Sequence, residues 1–416
     1  MRETQVLLRR EPGYGGFVFH PEDATFVHLD HEAFATAKRV WCDGGSPESE
    51  DARTMMRQLT EALPPMGGPV RYVDHGPGTA TIVSNQFAAP TLIDFQITDY
   101  CELACPQCYA SSVAGGRHVD WDDACLAFAR MREAGVCQVA IGGGEPLRHP
   151  LLAEILAEVR ANGMVPNLTT TGIGMSDAQL DAITTHCGAV ALSLEGVGER
   201  FSIRRRQGWD TFREQVARFM GAGLNLVLQI TLSAENCDEL HEIAEYAAGI
   251  DGLYGVIFLA HKPAGRATLF DSPLAARPFA EVYPQVIAAV RRLRKNTRVG
   301  FDCCLSPLIT SVESDLGFAP TEIVEGCSAV RGSIGLTIDL DCVPCTFLPA
   351  RKLGNLREAS VVDIWRNLHA DAFRDLQAAF LDRGPGCAGC RVNGSCLGGC
   401  PVWDLVGCAH TEGAAP

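Results

Sequence analysis

Thr91–Tyr109 reads TLIDFQITDYCELACPQCY. Its first eight residues, Thr91–Thr98, alternate and concentrate apolar side chains as a buried strand does. The strand runs directly into Cys101, Cys105 and Cys108, spaced C-x3-C-x2-C. Three thiolates in one short loop are soft donors suited to three irons of a four-iron cluster, and they leave the fourth iron open. An open iron is a place where a cofactor or substrate binds and receives an electron. Zinc sites usually pair two C-x2-C units, whereas this triplet stands alone.

Downstream of this strand the pattern repeats. Leu92–Thr98, Gln138–Gly142, Pro166–Thr171, Val190–Leu194, Leu226–Leu232 and Val256–Ala260 read as apolar strands. Amphipathic stretches at about Asp122–Ala134, Pro150–Asn162, Ser176–Cys187, Thr211–Ala222 and Asp238–Ala248 separate them. Near-continuous apolar strands alternating with helices predict a parallel sheet buried on both faces. Six such units predict an α/β fold, a partial (β/α)6 TIM-type barrel. Right-handed crossovers gather the C-terminal strand ends on one side, where such barrels carry their sites. Cys101–Cys108, Gly142–Pro146, Thr170–Gly172, Ser193–Gly196 and Gln229–Thr231 all fall at those ends.

Two further units flank the barrel. Residues 1–65 predict three short strands, Gln5–Arg9, Gly16–His20 and Thr25–Leu29, broken by Pro12-Gly13 and Pro21. A helix over His31–Trp41 with Asp30 as N-cap follows, then a second from about Ser49 to Leu63. Residues 66–90 read as a linker, 91–299 as the barrel and 300–416 as a cysteine-rich domain. In that last region Cys387, Cys390, Cys396 and Cys400 stand as C-x2-C-x5-C-x3-C, followed by Cys408 and preceded by Cys327 and Cys345. Such a dense run is a ligand pattern for metal; four cysteines alone would favour zinc.

The 416 residues suffice for two or three domains with a full core. The net charge of -15 disfavours a general nucleic-acid binder, which would show a basic face. No apolar run approaches the ~20 residues of a membrane helix. The N-terminus MRETQVLLRREPGYGG lacks a secretory h-region, so a cytoplasmic location is expected. Cys42, Cys125, Cys137, Cys187 and Cys237 are scattered singly and read as small core residues.

The triplet, Tyr109 after it, Gly143-Gly144-Glu145-Pro146 and Ser193-Leu194-Glu195-Gly196 together resemble the motifs of the radical S-adenosylmethionine (SAM) superfamily, over roughly residues 90–270. Glu102 and Gln107 depart from the usual residues, as does Glu195 in place of Asp. The resemblance implies that SAM chelates the open iron and is cleaved reductively to methionine and a 5′-deoxyadenosyl radical. It implies contact of the Glu145 region with the methionyl amino group, and of Ser193 and Glu195 with the ribose or the SAM carboxylate. Arg206, six residues before Phe212, would pair with that carboxylate. Thr170, Gln229 and Thr231 would share the barrel mouth.

The C-terminal cysteines resemble the SPASM extension of that superfamily, which implies two auxiliary four-iron clusters and three clusters in all. By this resemblance Cys387, Cys390, Cys396 and Cys408 hold the outer cluster, and Cys327, Cys345 and Cys400 the inner one. Cys303, Cys304 and Cys342 compete for the inner cluster's fourth place, with Cys303 or Cys304 preferred; if none binds, that iron is open to substrate. Residues 1–65 resemble the RiPP recognition element, a winged-helix-like α+β domain that binds a precursor's leader as an added strand. The expected function is a radical SAM oxidoreductase that forms a carbon–carbon or thioether crosslink in a precursor peptide. An electron donor such as flavodoxin or ferredoxin is the expected partner. The alternatives are a sulfatase-maturase-type or small-molecule enzyme, or a peptide epimerase with Cys304 as hydrogen donor. A non-catalytic iron–sulfur carrier conflicts with the intact triplet and GGEP.

Overall fold

The computed structural model describes residues 5–66, 68–76, 86–269, 279–311, 326–367, Cys387, Cys390, Cys396 and 399–402. Cys408 lies outside the described residues. Two sheets organise the described residues. The first has the order β3-β2-β1-β4, from Leu7–Glu11 (β1), Gly15–His20 (β2), Thr25–Leu29 (β3) and Arg71–Val73 (β4). β1, β2 and β3 are antiparallel neighbours, and β4 lies parallel to β1. The stretch read as linker therefore contributes a strand, too short and too isolated to show a period of its own.

Helices His31–Trp41 (α1) and Glu50–Ala62 (α2) follow β3. Each has a side-chain cap, Asp30 accepting from Ala33 N and Ser49 from Ala52 N. They pack on one face of the sheet, where Val6, Leu8, Val18, Phe34 and Leu59 form a common core. The opposite face, Leu7, Phe17 and Phe19, packs on Cys137 and Val165 of the barrel. Period-2 alternation in β1 thus sends Leu7 to the barrel and Leu8 to the helices.

The second sheet has ten strands in the order β11-β10-β9-β8-β7-β6-β5-β12-β13-β14. The six expected strands are Leu92–Thr98 (β5), Gln138–Gly143 (β6), Val165–Thr170 (β7), Ala189–Ser193 (β8), Leu226–Leu232 (β9) and Gly255–Ala260 (β10). All neighbours among them are parallel. Between them run Trp121–Ala134 (α3), Leu152–Ala161 (α4), Asp177–His186 (α5), Glu199–Arg205 (α6), Trp209–Gly221 (α7) and Leu240–Ala248 (α8). Phe279–Leu293 (α9) leads to a seventh parallel strand, Arg298–Phe301 (β11), on β10. The sheet is open, so the barrel is partial.

The cysteine-rich region joins the same sheet. Ser333–Leu336 (β12) pairs in parallel with β5, and Asp341–Val343 (β13) and Gly354–Asn355 (β14) extend it antiparallel. Ser306–Ser311 (α10) and Val361–Arg366 (α11) are the remaining described α-helices. One core runs from Phe95 and Phe128 through Leu228 and Phe258 to Cys304, Leu336 and Trp365. No described helix is long and apolar enough to cross a membrane.

Candidate functional site

The triplet loop is held by the ends of several strands. Cys101 N donates to Val113 O at 3.1 Å, and Cys108 N to Cys105 O at 3.3 Å. Arg266, just beyond β10, clamps the loop from the other side. Its Nε donates to Cys105 O at 3.2 Å, its Nη1 to Ser112 O at 2.6 Å, and its backbone N to Cys108 O at 3.0 Å. Glu102 pairs with Arg148 beyond β6, with Arg148 Nε donating at 2.7 Å. The departure at Glu102 is thus a tie between the triplet loop and the GGEP turn.

Gly143 and Gly144 are glycines because β6 ends against the entry to this loop. Gly143 has φ 121, and a Cβ there would lie 2.2 Å from Thr98 O. A Cβ on Gly144 would lie 2.0 Å from Tyr100 O, while Glu145 N donates to Tyr100 O at 2.7 Å. The Glu145 carboxylate is saturated by its own chain. Oε1 accepts from Leu147 N at 3.0 Å and from Thr170 Oγ1; Oε2 accepts from Thr171 N at 2.7 Å and Thr171 Oγ1 at 2.6 Å. Glu145 and Thr170 therefore fix the β6 and β7 turns to each other. Pro146 opens the short helical turn that follows Glu145.

Ser193 and Gln229 are register partners at inward-facing positions of β8 and β9. Glu195, two residues on, is 4% exposed, so its charge depends on its neighbours. Burial raises its pKa, opposed by Arg205 and by a hydrogen bond from Thr231. Arg205 Nη1 reaches Glu195 Oε1 at 3.3 Å. Burial works against the Arg205 charge, but Glu195 and the sulfurs of Cys105, Cys108 and Cys101 together hold its pKa above the ordinary value.

Arg206, expected from its spacing to Phe212, stands elsewhere. α6 ends at Arg205, and Arg206 turns into the left-handed region with φ 55 and is exposed. Arg205 is the arginine that faces the sulfurs. A three-arginine run carries no signal for which member points inward, because that depends on where the helix stops. Asn236 is a second residue the sequence reading missed. It is 1% exposed and donates to Thr231 O at 2.8 Å while accepting from Ser233 N.

The residues around the triplet fit a bound cluster and cofactor. The three cysteines are free of disulfides and supply only thiol sulfur. Orphaned buried polar atoms ring the loop: both amide atoms of Gln107, Glu195 Oε2, Arg205 Nε and Arg266 Nη2. Buried polar atoms without partners are costly, and a ligand with polar groups relieves that cost. Gln107, Glu195, Arg204, Thr231, Asn236 and His261 line a single cleft there. Among the described residues no three His, Cys, Asp or Glu side chains converge on one ion. A cluster loop does not require that, because each sulfur binds its own iron.

The second group of cysteines forms just beyond β11, beside the end of β10. Cys303 lies in hydrogen-bond contact with Cys304, Cys327 and Cys400, which hold its thiol pKa down. Cys345 feels the charges of both Lys262 and Cys303. Cys342 is fully buried on β13, and burial pushes its thiol up to about 12. Asp302 caps the Cys303–Cys304 turn, accepting from Cys304 N at 3.1 Å and Leu305 N at 3.3 Å. Its other oxygen pairs with Lys262 Nζ. Lys262 also sits 4.6 Å from the centroid of the Phe347 ring, and Phe347 stacks on Tyr109 at 4.1 Å. The two cysteine groups thus meet across a Tyr109–Phe347–Lys262 wall. Cys390 N donates to Cys387 O at 3.1 Å and Gly399 N to Cys396 O at 3.0 Å.

The fold and this site define a class: the chain is a radical SAM protein whose barrel is joined to a SPASM domain. Residues 95–247 match the family model of the Radical SAM superfamily, and residues 327–391 match that of SPASM, an iron–sulfur cluster-binding domain. These domains bind SAM and four-iron clusters.

Among individual proteins, it is 30% identical over 165 residues to the PqqA peptide cyclase of Ruegeria pomeroyi, covering 38% of this chain and 44% of that one. It is 24% identical over 302 residues to the PqqA peptide cyclase of Rhizobium meliloti, covering 67% and 74%. The chain thus spans less than half of the first relative's length and about three quarters of the second's. Streptococcus suis SuiB bound to precursor peptide SuiA superposes with a TM-score of 0.67 at 16% identity, covering 96% of this chain and 95% of that one. Native anSMEcpe with bound AdoMet and a peptide gives 0.59 at 15% identity, covering 75% and 89%. At these identities the structures establish the shared fold.

Proposed function

We propose that the chain is a maturase of a ribosomally made precursor peptide and that it closes an oxidative carbon–carbon or thioether crosslink. The observation that carries this reading is the inner cysteine group beside the barrel interior. Cys345 feels the charge of Asp94 on β5 as well as that of Cys303. Forming a crosslink removes two hydrogens from the substrate. One leaves as a hydrogen atom, the other as a proton and an electron, and a redox site next to the interior suits that electron.

Bound at Cys101, Cys105 and Cys108, a four-iron cluster with SAM supplies the 5′-deoxyadenosyl radical. Arg205, Glu195 and Gln107 would orient the cofactor's polar ends, Asn236 would hold the Thr231 and Glu195 backbone beside them, and the Glu145–Thr170–Thr171 network would hold the turns beneath. Cys303, Cys327, Cys345 and Cys400 would hold the inner auxiliary cluster, and Cys387, Cys390, Cys396 and Cys408 the outer. Lys262 and Asp302 would keep the Cys303 turn in place. Electrons would enter from flavodoxin or ferredoxin.

Two relatives named as peptide cyclases and a fold neighbour solved with its precursor support a peptide substrate. Among the described residues β3 is an edge strand of the N-terminal sheet, which would offer a leader segment a row of backbone groups to pair with. In this reading residues 1–65 bind the leader, 66–90 connect, 91–299 perform the radical step and 300–416 carry the auxiliary clusters. Leader docking would raise the local concentration of the core at the barrel.

The test is mass spectrometry of a precursor peptide after anaerobic incubation with reconstituted protein, SAM and reductant. A loss of two hydrogens supports crosslinking. Unchanged mass in ordinary water, with one deuterium gained in heavy water, favours epimerisation, for which Cys304, buried beside Cys303, would be the thiol hydrogen donor.

A further inference from the structure

The barrel interior offers a residue that none of the roles above uses. On β5, Ile93, Phe95 and Ile97 are fully buried under the helices, so Asp94 and Gln96 face inward. Register sets Asp94 beside Ala140 of β6, and Ala140 beside Asn167 of β7. The inward row continues through Thr169, Ser193, Gln229 and Ile257. These positions keep partial solvent access while their outward neighbours are buried, so the interior is open.

Asp94 is a charged side chain in a neutral row. Among the described inward positions of β5–β11 the only other one is Arg298, exposed at the end of β11, with its guanidinium 4.4 Å from the Tyr254 ring centroid. Asp94 has one tie: Thr346 Oγ1 donates to Oδ2 at 2.8 Å. Among the described residues no cation pairs with it, and burial lifts its carboxyl to about 6. The groups facing it are Tyr109, whose phenol burial keeps neutral, and Cys345, which the reading above gives to the inner cluster. Across the sheet from Oδ1 stands Gly142, where even an added Cβ would remain 3.9 Å away. Asp94 lies four residues below Thr98, about 13 Å beneath the strand ends where the triplet sits. An unpaired carboxylate there costs stability at neutral pH, and a ligand that supplies the missing charge recovers it.

We propose that Asp94 anchors a cationic side chain, the ammonium or guanidinium of a substrate lysine or arginine, inside the barrel. This rests on the peptide reading above and names the chemistry of one residue of that substrate. The pair would fix the depth and orientation of the neighbouring substrate carbon beneath the radical site. Gln96 and Gln229 would complete the pocket with neutral donors and acceptors.

The test needs no precursor. Radiolabelled n-butylammonium, a mimic of the lysine side chain, is equilibrium-dialysed at pH 8 against the full-length, cluster-reconstituted chain, with n-butanol as neutral control. Wild type should bind n-butylammonium saturably at one site and prefer it to n-butanol by about tenfold or more, the worth of a charge-assisted hydrogen bond. Asp94→Asn keeps the Thr346 bond and should lose that preference with its iron content unchanged. Equal binding of the two probes by wild type overturns the proposal, whatever the variant does. So does an Asp94→Asn chain that binds n-butylammonium within twofold of wild type. Retained n-butylammonium binding with no mass change in any precursor would instead defeat the peptide reading alone.

Discussion

Removing Arg9 should release the N-terminal sheet from the barrel. Arg9 sits in β1 with no solvent exposure, and Glu11 beside it is 2% exposed. Its Nε donates to Glu11 Oε1 at 2.8 Å, Nη1 to Pro90 O at 3.0 Å and Gly135 O at 2.9 Å, and Nη2 to Ala89 O at 2.9 Å. The guanidinium also lies 4.6 Å from the centroid of Phe17. One side chain therefore ties β1 to the segment entering β5 and to the end of α3. Arg9→Met keeps the apolar stem but leaves Glu11 buried without its cation. Breaking a buried pair this way costs about 3–5 kcal/mol. Burial already raises the Glu11 carboxyl despite Arg9, so the lone acid would gain a proton to limit the loss. The expected result is an early thermal transition and rapid proteolysis between the two sheets, with the barrel's own transition retained. Arg9→Met/Glu11→Gln should recover part of the loss, because no lone charge remains. An Arg9→Met chain that melts and resists protease like wild type would refute the reasoning.

Arg205→Gln should lower SAM affinity by about tenfold or more, whereas exposed Arg206→Gln should leave it within about twofold, both read by equilibrium binding. Gly144→Ala should abolish 5′-deoxyadenosine formation while the far-ultraviolet circular dichroism stays native, since its methyl group would meet Tyr100 O at 2.0 Å. Iron per chain should fall in Cys303→Ser and stay unchanged in Cys342→Ser; the reverse would move the inner group's fourth place to β13. Asp94 also gives a pH prediction. Its folded pKa of about 6 exceeds the unfolded 3.8, so its contribution to stability is lost as pH rises through that window. Relative to wild type, Asp94→Asn should gain about 1–2 kcal/mol in denaturant titrations on going from pH 4 to pH 8, after allowance for solvent in the interior. An unchanged difference would show that the carboxyl is not desolvated.

The local sequence determined the elements. Asp30 and Ser49 announce α1 and α2 because a helix start needs an acceptor for its free N–H groups. The six apolar runs from Leu92 onward are strands because nothing else buries β-branched residues on two faces at that length. The triplet and GGEP were legible as well, since ligand spacing and glycine needs are local properties. β4, β11 and β12 were not, because strands of three or four residues exist only through the partner they pair with.

Tertiary structure decided which side chains meet. Whether Arg205 or Arg206 faces the sulfurs depends on a helix ending one residue earlier or later, a rotation of about 100° per residue. Lys262, Asp302, Phe347 and Tyr109 come from four separate segments, and no spacing rule links them. The same holds for Arg9, whose acceptors lie at 89, 90 and 135. Sequence fixes what each backbone segment can do alone; charge placement in a buried space depends on the whole chain, because only there does losing water force each polar group to find a partner.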